Sequence, residues 1–168
     1  MAQLSNGHLL NAIQDKFGNA ILGAEEPNGL LTLNINPEKL LELVRFLYNH
    51  EEFRFQFLTD ICGAHFPDQK GAELASIYHL HSLENNMRIR IKCFLSADHP
   101  FVDSLTPVFS AANWQERETF DFYGIIFNGH PNLKRILNVD EMDYHPLRKE
   151  YPLEDQTRTD KNDSYFGR

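Results

Sequence analysis

Cysteine is nearly missing from this chain: Cys62 and Cys93 are the only two in 168 residues. An iron–sulfur cluster of the usual kind needs four thiolates, and a structural zinc site usually has paired Cys-x-x-Cys ligands, so neither is expected here. Cys93 alternates with Met87, Ile89 and Ile91 and is expected to be a small core residue, not half of a disulfide. No stretch approaches the roughly 20 consecutive apolar residues of a membrane span. The start, Met1 to His8, lacks the basic-then-apolar layout of a signal peptide. The chain is therefore expected to stay in the cytosol and to meet a membrane only through partners. Basic residues are few: 16 Lys and Arg against 24 Asp and Glu, a formal net charge of −8. That balance opposes phosphate binding and argues against a nucleic-acid partner. Gly-x-Gly-x-x-Gly, a phosphate loop and a nucleophile elbow are all missing. No catalytic residue, no cofactor-binding residue and no metal ligand is therefore assigned, and the chain is not expected to transfer electrons by itself.

What is present is enough apolar residue, 42%, for a real core in one domain plus an extension. Residues 4–17 place Leu9, Leu10, Ile13 and Phe17 on one helical face, closed by Gly18. Ala20 to Gly23 and Leu30 to Ile35 read as strands around the Pro27-Asn28-Gly29 turn. Asn36-Pro37 starts a helix, cap then first turn, whose buried stripe is Leu40, Leu43, Val44 and Leu47. Phe53, Phe55 and Phe57 alternate as in a strand, and Leu58 to Ala64 reads as a loop. Glu73–Ser82 and Met87–Phe94 form a hairpin across Glu84-Asn85-Asn86. A weaker helix, interrupted by Pro107, is expected near Val102–Phe109.

This order predicts an α+β, two-layer sandwich, a mostly antiparallel sheet with helices on one face. From Asp140 the apolar density falls while charge and proline rise. The division expected is a domain over 1–139 and an extended C-terminal arm over 140–168, in which Tyr144, Tyr151, Tyr165 and Phe166 are either anchors into a neighbour's grooves or part of a disordered solubilising tail.

Two side-chain sets could be more than structure. His79 and His81 share one face of a strand and could co-ligate a metal, which would make the chain a small His/carboxylate metalloenzyme. No third ligand can be placed, so a polar sheet face is the preferred reading. Arg88, Arg90 and Lys92 share the face opposite Met87, Ile89 and Ile91, as a docking strip or a solvated face.

Residues 116–137 mix charge and aromatics in a way that neither a surface helix nor a core helix favours. Asn113 and Glu116 have the spacing of a capping box, and Gly124 suits a left-handed helix end, giving a helix over about Trp114–Tyr123. Aromatics and charges both run around it. Arg117 and Asp121 are spaced as i,i+4 partners, in the weaker order, and buried charges must be paired. Two readings stay open on these residues: an amphipathic surface helix with incidental aromatics, or a helix held between its own domain and a partner, with the charges completing a network across the junction.

The segment Glu116-Arg117-Glu118, Asp121, Phe122-Tyr123-Gly124, His130-Pro131, Lys134 and Ile136-Leu137 resembles the signature of the 30-kilodalton subunit of respiratory complex I, the NADH:quinone oxidoreductase. His145-Pro146-Leu147-Arg148 through Leu153 resembles that family's downstream motif. The resemblance implies a non-catalytic scaffold subunit of the peripheral arm, on the cytoplasmic side of the inner membrane. The partners implied are the quinone-site subunit and iron–sulfur subunits. FMN and the clusters would sit in those partners. Glu116, Arg117, Glu118, Asp121, His130, Lys134, Arg135, His145 and Arg148 are the expected partner-interface residues. A scaffold subunit of a membrane-bound nickel–iron hydrogenase, or of a complex using another donor, is the alternative within the same class.

Overall fold

The computed structural model describes residues 4–152. The candidate anchors Tyr165 and Phe166, with the rest of the arm from 153 on, lie outside the described residues. Helix α1 (Asn6–Phe17) begins where the Ser5 side chain accepts the His8 N–H, and ends at Gly18 with φ +46°. It buries Leu9, Ile13 and Phe17. After β1 (Ile21–Glu25) and β2 (Leu31–Ile35), the Asn36 side chain accepts the Glu38 N–H and a short 3-10 turn at Pro37–Lys39 leads into α2 (Leu40–Asn49). The α2 stripe of Leu40, Leu43, Val44 and Leu47 is completely buried. At about 1.5–3 kcal/mol per such side chain, it outweighs anything the exposed Lys39–Glu42 pair can add.

The main sheet runs β1-β2-β5-β4-β3, with β3 Phe57–His65, β4 Leu74–Ser82 and β5 Met87–Leu95. Its pairings are antiparallel except β2 with β5. Alternation is clear on β5 and on β4 from Ser76 onward. Leu74, Tyr78 and Leu80 of β4 join Ile89, Ile91, Cys93 and Leu95 of β5 in one core with α1 and α2. His79, His81, Arg88, Arg90 and Lys92 lie on the opposite face. The α+β sandwich is therefore built as its periodicities predict, with Cys93 in the core. A second, two-stranded parallel sheet joins β6 (Phe101–Asp103) and β7 (Ile126–Asn128) on either side of α3 (Ala112–Tyr123).

Three local expectations fail. Leu58–Ala64 is not a loop but the body of β3, and Phe53 and Phe55 lie before that strand, not in it. Thr59 is a bulge, skipped between the Leu58–Leu80 and Asp60–His79 pairs, and it breaks the alternation that would reveal the strand. Phe53 is instead fixed in a tight turn. His50 stacks on its ring at 4.0 Å, and the Asn85 side chain donates to the Glu52 and Phe53 carbonyls. There is also no helix at Val102–Phe109. Residues 101–103 pair with β7, and the N–H of Leu105 is taken by a carboxylate from α3.

Candidate docking site around the third helix

Helix α3 starts at Ala112 with Ala111 as a cap that offers no side-chain bond, so Asn113 and Glu116 do not form a capping box. Glu116 turns inward. Its two oxygens accept the Leu105 N–H and the Ser104 hydroxyl, both at 2.6 Å, and Ser104 in turn lies 2.7 Å from Thr106 Oγ1. The side chain is fully buried. Burial raises its pKa to about 7 against the lowering effect of those two bonds.

Further along the helix, Asp121 gathers the segment after β7. Its Oδ2 accepts the backbone N–H groups of Ile136 (3.1 Å), Leu137 (2.8 Å) and Asn138 (2.9 Å). Oδ1 accepts Arg135 Nη1 at 2.7 Å and Asn138 Nδ2 at 3.0 Å. Burial alone would raise this carboxyl; the N–H groups of Asn138 and Leu137, with Arg135, overcome it and hold it well below the usual carboxylate range. Arg135 also reaches the Asp121, Met142 and Tyr144 carbonyls, so one guanidinium ties helix, loop and arm together.

Arg117 does not pair with Asp121. It donates from Nε to the Lys134 carbonyl and from Nη2 to the Arg135 carbonyl, and lies 5.3 Å from the centre of the Trp114 ring. Asp121 already has a fuller set of donors than one i,i+4 arginine could supply. His130 Nδ1 accepts the Asn132 N–H, which leaves Nε2 to donate to the Asn113 carbonyl at 3.0 Å.

The described part of the arm folds back on the same helix end. His145 Nδ1 bonds the Asp121 carbonyl, the Leu147 N–H bonds that of Phe122, and Arg148 Nε bonds that of Tyr123. Gly124 is required twice over: its φ is +75°, and a Cβ there would lie 2.6 Å from the His145 ring and 2.7 Å from Arg148. Gly63 on β3 is required once, because a Cβ would fall against the Tyr123 ring at 2.3 Å.

Of the nine expected residues, Glu116, Arg117, Asp121, His130, Arg135, His145 and Arg148 thus converge in bonds within the chain around α3. Glu118 and Lys134 side chains make no side-chain bond among the described residues. Ser104, Asn138 and Gly63 complete the arrangement, and no sequence spacing marks them. Of ten exposed large apolar side chains among the described residues, six lie between 114 and 151. They are Trp114, Leu137, Val139, Tyr144, Leu147 and Tyr151.

His79 has its own partners on the sheet face. It accepts Arg90 Nε at 2.8 Å and lies 3.7 Å from Asp60. Those contacts suit the polar sheet face that the sequence favours over a metal pair.

The family model described as respiratory-chain NADH dehydrogenase, 30 Kd subunit, matches residues 33–157. An NADH-quinone oxidoreductase subunit of Rhizobium meliloti is 43% identical over 145 residues, which span 86% of this chain and 78% of that relative. The corresponding NADH-quinone oxidoreductase subunit of a Roseiflexus species is 42% identical over 152 residues, spanning 89% and 86%. Among solved structures, a trypsin-resistant fragment of Nqo5 superposes with a TM-score of 0.63 at 26% identity, covering 74% of this chain and 98% of the fragment. A chain of an archaeal membrane-bound sulfane sulfur reductase superposes at 0.72 with 19% identity over 88% and 85%, a likeness of fold alone.

Proposed function

This chain belongs to the family of the 30 Kd subunit of the respiratory-chain NADH dehydrogenase, and from that premise we propose that it works as a non-catalytic scaffold of the peripheral arm of a proton-translocating NADH:quinone oxidoreductase. Electrons pass from NADH to quinone through FMN and iron–sulfur clusters held by partner subunits. The arm stands on the cytoplasmic side of the membrane, and this chain joins the quinone-site subunit to the iron–sulfur subunits.

The observation that carries the reading is the pairing of a locked polar base with an exposed apolar cover. Asp121, Arg135 and Arg117 fix the backbone of residues 134–145 from below. That fixation leaves Leu137, Val139 and Tyr144 preformed at the surface, and Trp114 is exposed on α3 itself. A preformed surface loses little conformational entropy on binding, which suits a permanent structural contact. No helix of the described residues is long and apolar enough to cross a membrane.

Deleting the gene and restoring it on a plasmid tests this. The expected result is loss of the assembled complex on native gels and of membrane NADH:quinone activity, both restored by the wild-type chain. The purified chain alone should oxidise no NADH. Normal assembly and activity in the deletion strain would refute the scaffold role. Loss of a hydrogenase, or of a complex without an NADH-oxidising module, would keep the scaffold and change the donor.

A further inference from the structure

Strand β3 is an unusual edge. It pairs with β4 on one side only, and among the described residues none of its nine residues makes a backbone bond outside that ladder. Edge strands are normally blunted by shortness, lysine, proline or a covering element. The opposite edge, β1, is short, with five residues and a register shift. β3 has its own bulge at Thr59, and the Lys149 N–H donates to His65 Nδ1 at its last residue; it is nevertheless nine residues long with neither lysine nor proline, and its Phe57 is half exposed. Helix α3 packs below it through Tyr123 on Gly63. A cleft of about 180 Å³ remains alongside, lined by Ile61, Gly63, Phe122, Tyr123 and Leu147, with Asp60 and Glu118 among its walls.

Among the described residues, neither carboxylate has a lysine or arginine ion-pair partner. Glu118 is exposed and has no hydrogen-bond or ion-pair partner among the described residues. Asp60 is half exposed and, among the described residues, lies 3.7 Å from His79, whose other ring nitrogen accepts from Arg90. Burial, and then Arg90, lower the His79 pKa, so that ring is neutral at neutral pH. The Cys62 thiol between them stays protonated, since burial and Asp60 push it up to about 11.

We propose that the β3 edge accepts an extended segment of a neighbouring subunit as an added strand, with an apolar side chain seated in the cleft and a lysine or arginine against Glu118 and Asp60. Main-chain bonds to the open edge would supply affinity, and the alternation of side chains would supply selectivity. The neighbour rests on the scaffold reading; the surface is distinct from the apolar cover of residues 114–151 apart from Leu147.

Hydrogen–deuterium exchange of the purified complex, set against the isolated full chain, tests it. In the complex the amides of residues 57–65 should exchange at least about tenfold more slowly than in the isolated chain. Thr59→Pro places a proline at the bulge, where the ladder has no register partner, and should block an added strand. Glu118→Lys, at an exposed position, should weaken retention of the partner without altering the circular dichroism of the chain. If partners co-purify and residues 57–65 exchange equally in both samples, this inference fails and the scaffold reading stands. If no partner co-purifies, both fail. Protection that grows with concentration of the isolated chain would mean edge pairing between two copies and would also overturn it.

Discussion

Asp121→Asn is the sharpest perturbation of the α3 arrangement. The change keeps shape and removes the charge, and it replaces Oδ2 with an amide nitrogen. Three backbone N–H groups, those of Ile136, Leu137 and Asn138, then face a donor instead of an acceptor. Flipping the amide would move the conflict to Arg135 and the Asn138 side chain. Hydrogen bonds to a charged group contribute about 1.5–3 kcal/mol each, but the bonds to one carboxylate act as a unit and do not add. Asp121 is fully buried and the Arg135 side chain is 10% exposed, so breaking this pair should cost roughly 3–5 kcal/mol. The loss falls on the 134–145 segment, because the sheet, α1 and α2 share none of these bonds. Local opening is therefore the expected outcome. Amide exchange at 136–138 should accelerate by roughly a hundred- to several-thousand-fold, while the main thermal transition moves by only a few degrees. The same protection should fade in the wild-type chain on acidification. A depressed folded pKa contributes stability above the unfolded value of about 3.9, and that stability is lost as pH falls from about 5 downward. Unchanged exchange at 136–138, or collapse of the whole domain, would refute the reasoning.

Glu116→Gln should raise the midpoint of thermal unfolding at pH 8 and change it little at pH 5. The raised folded pKa of about 7 means that Glu116 favours the fold below its unfolded value, about 4.3, and loses that contribution as pH rises toward 7; a flat difference between the two pH values would contradict it. Gly124→Ala forces a non-glycine into the left-handed region at about 1–2 kcal/mol and displaces His145 and Arg148. Faster exchange at residues 145–149 is the expected readout, and unchanged exchange there the opposing one. Arg117→Ala removes the bonds to the Lys134 and Arg135 carbonyls and should speed exchange at residues 134–138 in the isolated chain; equal rates would count against that anchoring role. Trp114→Ala, at a 62% exposed side chain, should leave the fold intact and lower the yield of assembled complex on native gels.

Short-range patterns specify most of the fold. The α2 stripe, the Asn36-Pro37 start and the β4–β5 hairpin are set by residues within a few positions of one another, so periodicity and turn chemistry locate them. What the sequence hides depends on long-range partners. Glu116 has the spacing of a capping residue, yet its acceptors satisfy Ser104 and Leu105, twelve and eleven positions away. Asp121 has the spacing of a partner for Arg117, but backbone donors some sixteen residues downstream, with Arg135, fill its coordination. The strand at Leu58–Ala64 is hidden because one bulged residue inverts the alternation. The charged residues of the signature are visible as a group, since their density is unusual for a helix. Their individual partners are not, because backbone N–H groups carry no mark in a sequence.

The most direct test of the scaffold claim is affinity purification of the tagged full chain from its own membranes in mild detergent, with mass spectrometry and an NADH:quinone assay on the eluate. Flavin, iron–sulfur and membrane subunits should appear in the eluate together with activity. Recovery of the chain alone, with neither partners nor activity, would contradict the scaffold role.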